Sequence, residues 1–172
     1  MARHRALSAA VFLALFVANG LHDRAAVDAA SLTMAAASDA CALLTTDEAS
    51  AALEVKSLAG RPVIAGNSTL CIWTDSATDS VDHRRITLAI ANSTTSFSMA
   101  KASGVIPTET ASGIGDEAYY ALPKGESPIL RVRKSSSAFT LRILNGLKLT
   151  ALTVDQVKAK EATLAKAAVA RF

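Results

Sequence analysis

Between Ile129 and Leu144 the chain reads ILRVRKSSSAFTLRIL, and no other stretch constrains the fold as much. Apolar and polar residues alternate on both sides of a serine-rich centre, which is the period of a strand and not of a helix. With a loop over 134–137, Arg133 faces Ala138, Val132 faces Phe139, Arg131 faces Thr140 and Leu130 faces Leu141. That register gathers Leu130, Val132, Phe139 and Leu141 on one side, and a slip of one residue breaks the agreement. The stretch predicts an antiparallel hairpin with one buried face. Arg131 and Arg133 then point away from that face, and Arg142, opposite Ile129, lies near them.

The rest of the chain fits a sheet of this kind. RITLAIA, Arg85 to Ala91, sends Ile86, Leu88 and Ile90 one way and Thr87, Ala89 and Ala91 the other. Thr69 to Thr74 is a short β-prone run that puts Cys71 and Trp73 on one face, and Ala118 to Leu122 is a further strand. Thr45 with Glu48 forms a capping box that opens a helix ending near Val55, with Leu43, Leu44, Ala49, Ala52 and Leu53 as its apolar side. Ser93 to Ala102 predicts a short helix with Phe97, Met99 and Ala100 as contacts. Thr153 with Gln156 opens the longest helix, to Arg171. Its apolar stripe holds Val154, Val157, Leu164, Ala168 and Val169, with Lys158, Lys160, Glu161 and Lys166 mostly off it. SLAGRPVIAGNST reads as a loop or loose hairpin and PKGESP as a turn. The expected fold is α+β: an antiparallel sheet of about five strands packed against two to three helices, in a single domain over 39–172.

Ahead of that domain, MARHR carries Arg3 and Arg5 and is followed by the uncharged ALSAAVFLALFVANG. A basic start and a short apolar run predict a signal peptide over 1–20, with cleavage there or as late as Ala37, and a flexible N-terminal segment over 21–38. The run falls short of the ~20 residues of a membrane span, so membrane contact is expected only through the signal peptide. The full chain has 18 Lys and Arg against 15 Asp and Glu; without Arg3 and Arg5 the balance is 16 against 15, a net charge of +1. Such a balance offers no broad footprint for nucleic acid.

The two cysteines, Cys41 and Cys71, invite four readings. Lipid attachment is disfavoured by Ser38-Asp39-Ala40 ahead of Cys41 and by its distance from the apolar run. A zinc site needs about four closely spaced Cys or His ligands, and no CxxC or HxxxH is present. A nucleophilic thiol needs a His partner, for which His83 is a candidate. An even number of cysteines in an exported chain points instead to a Cys41–Cys71 disulfide, closing a loop of about 30 residues.

Four stretches together resemble a bacterial family of secreted and lipoprotein-like domains of unknown function: DACALLTTDEASAAL, CIW around Cys71, GIGDEAYY, and the closing LAKAAVARF. The resemblance spans roughly residues 39–172. It implies an α+β domain outside the cytoplasm with its two cysteines paired, and it implies no reaction.

Candidate chemistry is sparse. Asp116 and Glu117 are adjacent carboxylates beside two glycines, but alternation sends them to opposite faces, and the loop lacks the Lys and Ser of a phosphate-binding loop. Asp82-His83 suggests a hydrolytic pair, yet no GxSxG elbow accompanies it. Trp73, Tyr119 and Tyr120 are candidate pocket aromatics, with one tyrosine in the core and its neighbour exposed. Arg131, Arg133 and Arg142 are a candidate anion or partner patch, since arginine binds carboxylate and phosphate through paired N–H groups. No catalytic residue, metal ligand or cofactor is assigned. The expected function is an exported, non-enzymatic binding or accessory domain of the bacterial cell envelope or periplasm, engaging a small ligand or an envelope protein. A small extracytoplasmic enzyme and a structural subunit of an envelope complex are the alternatives.

Overall fold

The computed structural model describes residues 39–65, 68–78, 81–91, 93–146 and 150–172. The expected signal peptide and the 21–38 segment lie outside these residues. The described residues form seven strands: β1 Arg61–Ala65, β2 Ser68–Thr74, β3 Arg85–Ala91, β4 Thr108–Thr110, β5 Glu117–Ala121, β6 Ile129–Lys134 and β7 Ser137–Leu144. They pair antiparallel in one sheet of order β1-β2-β3-β7-β6-β5-β4. The helices among the described residues are α1 Thr46–Leu53, α2 Thr95–Ala102 and α3 Val154–Arg171, and a 3-10 turn runs over Ala40–Leu43.

The sheet is therefore α+β and antiparallel as expected, with seven strands in place of about five. The two additional strands are the edges. β1 carries Pro62 and leaves Ile64 88% exposed, and the three residues of β4 are all exposed. Edge strands with no buried face carry no alternation to read, and proline belongs at such edges because it donates nothing to a ladder.

The hairpin register is the one its pattern demanded: Leu130 opposite Leu141, Arg131 opposite Thr140, Val132 opposite Phe139 and Arg133 opposite Ala138. The buried face of the sheet holds Trp73, Ile86, Leu88, Leu130, Phe139 and Leu141, packed beneath the 3-10 turn, α1 and α3. Cys41 of the turn is bonded to Cys71 of β2, with Cα atoms 5.1 Å apart across a sequence separation of 30.

Both helix-opening capping boxes form. The Thr45 hydroxyl accepts from the Glu48 N–H while the Glu48 carboxylate accepts from the Thr45 N–H, and Thr153 and Gln156 repeat the arrangement. Arg171 then locks the two helices together. Its guanidinium donates to both Glu48 carboxylate oxygens at 2.8 Å and to the Leu43 carbonyl at 3.0 Å. That contact holds the Glu48 carboxyl at about 2.

Four local expectations are corrected. Tyr119 and Tyr120 are both buried, because α2 covers the second sheet face there: Phe97, Tyr119, Ala121 and Ala138 form a small second core. Met99 is 67% exposed, on the side of α2 away from that core. Glu161 is fully buried, and Val154, assigned to the apolar stripe, is half exposed. One turn after Val157 and three residues before Leu164, Glu161 lies in the middle of the stripe by helical geometry.

Candidate functional site: an open, arginine-bearing sheet face

On the second face of the sheet α2 covers β5, β6 and the adjoining end of β7, where Phe97 packs on Tyr119, Ala121 and Ala138 and lines a small recess with Arg131 and Thr140. Over residues 70–74, 85–91 and 140–144 the residues on this face are half-buried while their alternates are fully buried, the pattern of a sheet with one packed face and one partly open one. Directly paired residues share a face, so the register maps the surface. Arg131 stands opposite Thr140, which stands opposite Ala89. Arg142 stands opposite Thr87, and Arg85 stands opposite Leu144.

Moving from β6 to β7 to β3, each arginine is two residues further along than the last. Arg131, Arg142 and Arg85 thus form a diagonal ladder, with rungs about 7–8 Å apart at the backbone. Small side chains, Thr140, Ala89 and Thr87, fill the floor beside it. Arg133 lies on the same face of β6, next to Glu117 of β5.

The ion pairing is uneven. Arg133 donates to Glu117 at 3.3 Å, and Lys101 of α2 donates to the same carboxylate at 2.5 Å. Lys101 first, and Arg133 second, hold Glu117 below the usual carboxylate range. Arg142 donates from Nη2 to Glu126 Oε2 at 2.6 Å. Arg85 and Arg131 have no ion-pair partner among the described residues. The Nε–H groups of Arg131 and Arg142 are shut off from water with no acceptor among the described residues, an arrangement that costs about 1–3 kcal/mol per group when nothing fills it. Arg142 also borders a cavity of about 370 Å³ at the end of the sheet, together with Glu126, Asn145 and Val157.

Other candidate residues have structural partners. Asp116 accepts from the Ser135 N–H at 2.6 Å and donates its own N–H to the Arg133 carbonyl at 2.9 Å. The Gly-Ile-Gly-Asp-Glu stretch is thereby a clamp on the β6–β7 turn. His83 pairs through Nδ1 with Asp75 at 2.8 Å, a partner from the end of β2 that adjacency with Asp82 did not suggest. Trp73 packs in the main core, close against Cys71. The Tyr119 hydroxyl donates to the Phe97 carbonyl at 3.0 Å on one face, and the Tyr120 hydroxyl donates to the Lys158 carbonyl at 2.8 Å on the other. The three aromatics do not converge on a pocket. An open groove of about 400 Å³ between α1 and α3 is lined by Ala51, Ala52, Ala159, Thr163 and Leu164, with Glu48 and Lys160 also at its wall.

Sequence reasoning picked out Arg131, Arg133 and Arg142 but not Arg85 or Glu126. Arg85 was legible, since it shares parity with Thr87 and Ala89 in RITLAIA. Glu126 was not, because it comes from a turn and reaches the sheet only through tertiary placement. Among the described residues, no three His, Cys, Asp or Glu side chains are grouped to hold a metal ion, and no helix is long and apolar enough to cross a membrane. No protein-family model, curated protein sequence or solved structure matches the chain.

Proposed function

We propose that this chain is an exported, non-enzymatic binding domain of the bacterial cell envelope or periplasm, whose ligand surface is the open, arginine-bearing sheet face. The observation that carries this reading is the Arg131–Arg142–Arg85 ladder, cationic and only partly neutralised, which starts beside α2 at Arg131 and runs onto the part of the face that α2 leaves uncovered at Arg142 and Arg85. Folded proteins keep most arginines paired or fully solvated, so half-buried guanidiniums with no ion-pair partner among the described residues, those of Arg131 and Arg85, favour an anionic partner. The Cys41–Cys71 disulfide fits an oxidising compartment. The basic start and apolar run of the first 20 residues supply the route there, and the motif resemblance to secreted domains agrees with both.

The test is a titration of protein purified from cells expressing the full chain, read by backbone amide shifts. Poly-L-glutamate and inorganic polyphosphate serve as anionic probes at low ionic strength. Saturable shifts are expected at Thr87, Ala89 and Thr140, and they should collapse as salt is raised to about 0.15 M, where the screening length is about 8 Å. Shifts confined to the α1–α3 groove, or none at all, would remove the reading.

A further inference from the structure

We infer that the ligand of this face is an extended acidic peptide segment of a partner protein, with carboxylates on alternate residues, and that Glu126 occupies one of its contact points when the ligand is absent. The inference rests on the reading of this face as the binding surface and narrows it to one chemistry.

Three observations point the same way. The first is spacing. Alternate side chains of an extended peptide fall on one side and repeat every ~6.6–6.8 Å, close to the rung spacing of about 7–8 Å between diagonal neighbours on adjacent strands. Three successive carboxylates can therefore meet Arg85, Arg142 and Arg131 in turn, the last at the edge of α2 where Phe97 and Ser96 border Arg131. The second is the floor. Thr140, Ala89 and Thr87 lie beside the ladder in paired register, and their short side chains let a peptide backbone lie close to the sheet.

The third observation selects carboxylate over phosphate. Two arginines of this face already hold carboxylates of the chain itself: Arg133 holds Glu117 and Arg142 holds Glu126. Glu117 is fixed from a second side by Lys101. Glu126 is not. It sits in the turn between β5 and β6, and its side chain is 56% exposed. An ion pair of that exposure is worth about 1 kcal/mol or less, so an incoming carboxylate can displace it and return Glu126 to water. Glu126 acts as a stand-in for the middle carboxylate of the ligand.

The experiment compares two peptides of the same composition and charge, Thr-Glu-Thr-Glu-Thr-Glu-Thr and Thr-Thr-Glu-Glu-Glu-Thr-Thr, with inorganic polyphosphate as a third probe. Each is titrated into the full-chain protein by calorimetry and amide-shift mapping. The alternating peptide should bind about five-fold or more tightly than its isomer, with shifts at Thr87, Ala89 and Thr140. Arg131→Gln and Arg85→Gln should each weaken it by about five-fold. Glu126→Gln should tighten it by about three-fold, a gain that misfolding cannot mimic. Lys166→Gln removes an equal charge from an exposed site on α3 and should leave binding unchanged.

Equal binding of the two peptides, or no gain from Glu126→Gln, overturns the inference while leaving the face as a binding surface. Tighter binding of polyphosphate at the same residues overturns it in favour of a phosphate polymer. Absence of shifts on this face with every probe overturns both the inference and the reading beneath it.

Discussion

A methyl group added to Gly115 has nowhere to go. The residue sits at φ 60°, and a Cβ there would lie 2.6 Å from the Arg133 carbonyl oxygen and 2.9 Å from Val132 Cγ1. The obstructing atom is backbone, in the strand that carries Arg131 and Arg133, and the neighbouring Asp116 N–H bonds to that same carbonyl. Gly113 also has a positive φ, 74°, but faces open space. The two glycines of one motif therefore separate two physical demands. Gly113→Ala should cost about 1 kcal/mol, the left-handed penalty alone. Gly115→Ala should cost about 3 kcal/mol, adding a clash that only movement of β6 can relieve. Chemical denaturation of the two variants checks this, and equal losses would show that the turn and not the close approach fixes the motif. The sequence made the glycines visible as a turn. It could not show that Asp116 reaches across to Ser135, because that contact joins residues 19 apart in sequence.

At the level of elements, the notable feature is how α3 finishes the sheet. β7 runs past the start of β6, since the β6 pairing stops short of Ile143. The unclaimed Ile143 N–H donates to the buried Glu161 carboxyl at 2.9 Å. Burial pushes the Glu161 carboxyl up to about 8, against the opposing pull of the Ile143 N–H and of Arg142. Its other oxygen has no partner among the described residues. Because the folded value exceeds the unfolded one of about 4.5, the folded chain holds a proton that the unfolded chain releases between those limits. Stability from this group is full below pH about 4.5, falls as pH rises towards 8, and is flat above. The span corresponds to a loss on the order of 3–5 kcal/mol. Glu161→Gln keeps an acceptor for Ile143 and cannot ionise, so its stability should be nearly level across that range and exceed the parent's at pH 8. Denaturation curves at pH 5 and 8 decide it; a parent as stable at pH 8 as at pH 5 would contradict the assignment. Strands and helices with a strong period were legible here: β3, the β6–β7 hairpin, and both capped helices. β4 was not, and β1 was legible only as part of a loop or loose hairpin, because edge strands bury no face. Nor was Glu161, because a charged residue on an apolar stripe reads as an interruption until a free backbone donor stands opposite it.

On the scale of the whole molecule, the helices are distributed unevenly about the sheet, and the disulfide belongs to the covered side. It ties the 3-10 turn before α1 to Cys71 in β2, so the loop it closes contains α1 and β1. The strands of the arginine ladder, β3, β7 and β6, lie outside that loop. Stability and binding should therefore come apart when the bond is broken. For a loop of about 30 residues the chain-entropy account gives about 3–4 kcal/mol of stabilisation, which for a domain of this size corresponds to about 10–15 °C in Tm. The double variant Cys41→Ala, Cys71→Ala should lose stability of that order in thermal unfolding. At 25 °C, where the sheet remains folded, its amide shifts at Thr87, Ala89 and Thr140 on addition of poly-L-glutamate should match those of the parent. An unchanged Tm would mean that the core beneath α1 and α3 already restrains the loop without the bond. A lost binding response in a still-folded variant would mean that the covered side of the sheet sets the shape of the open one, through the strand twist that both faces share.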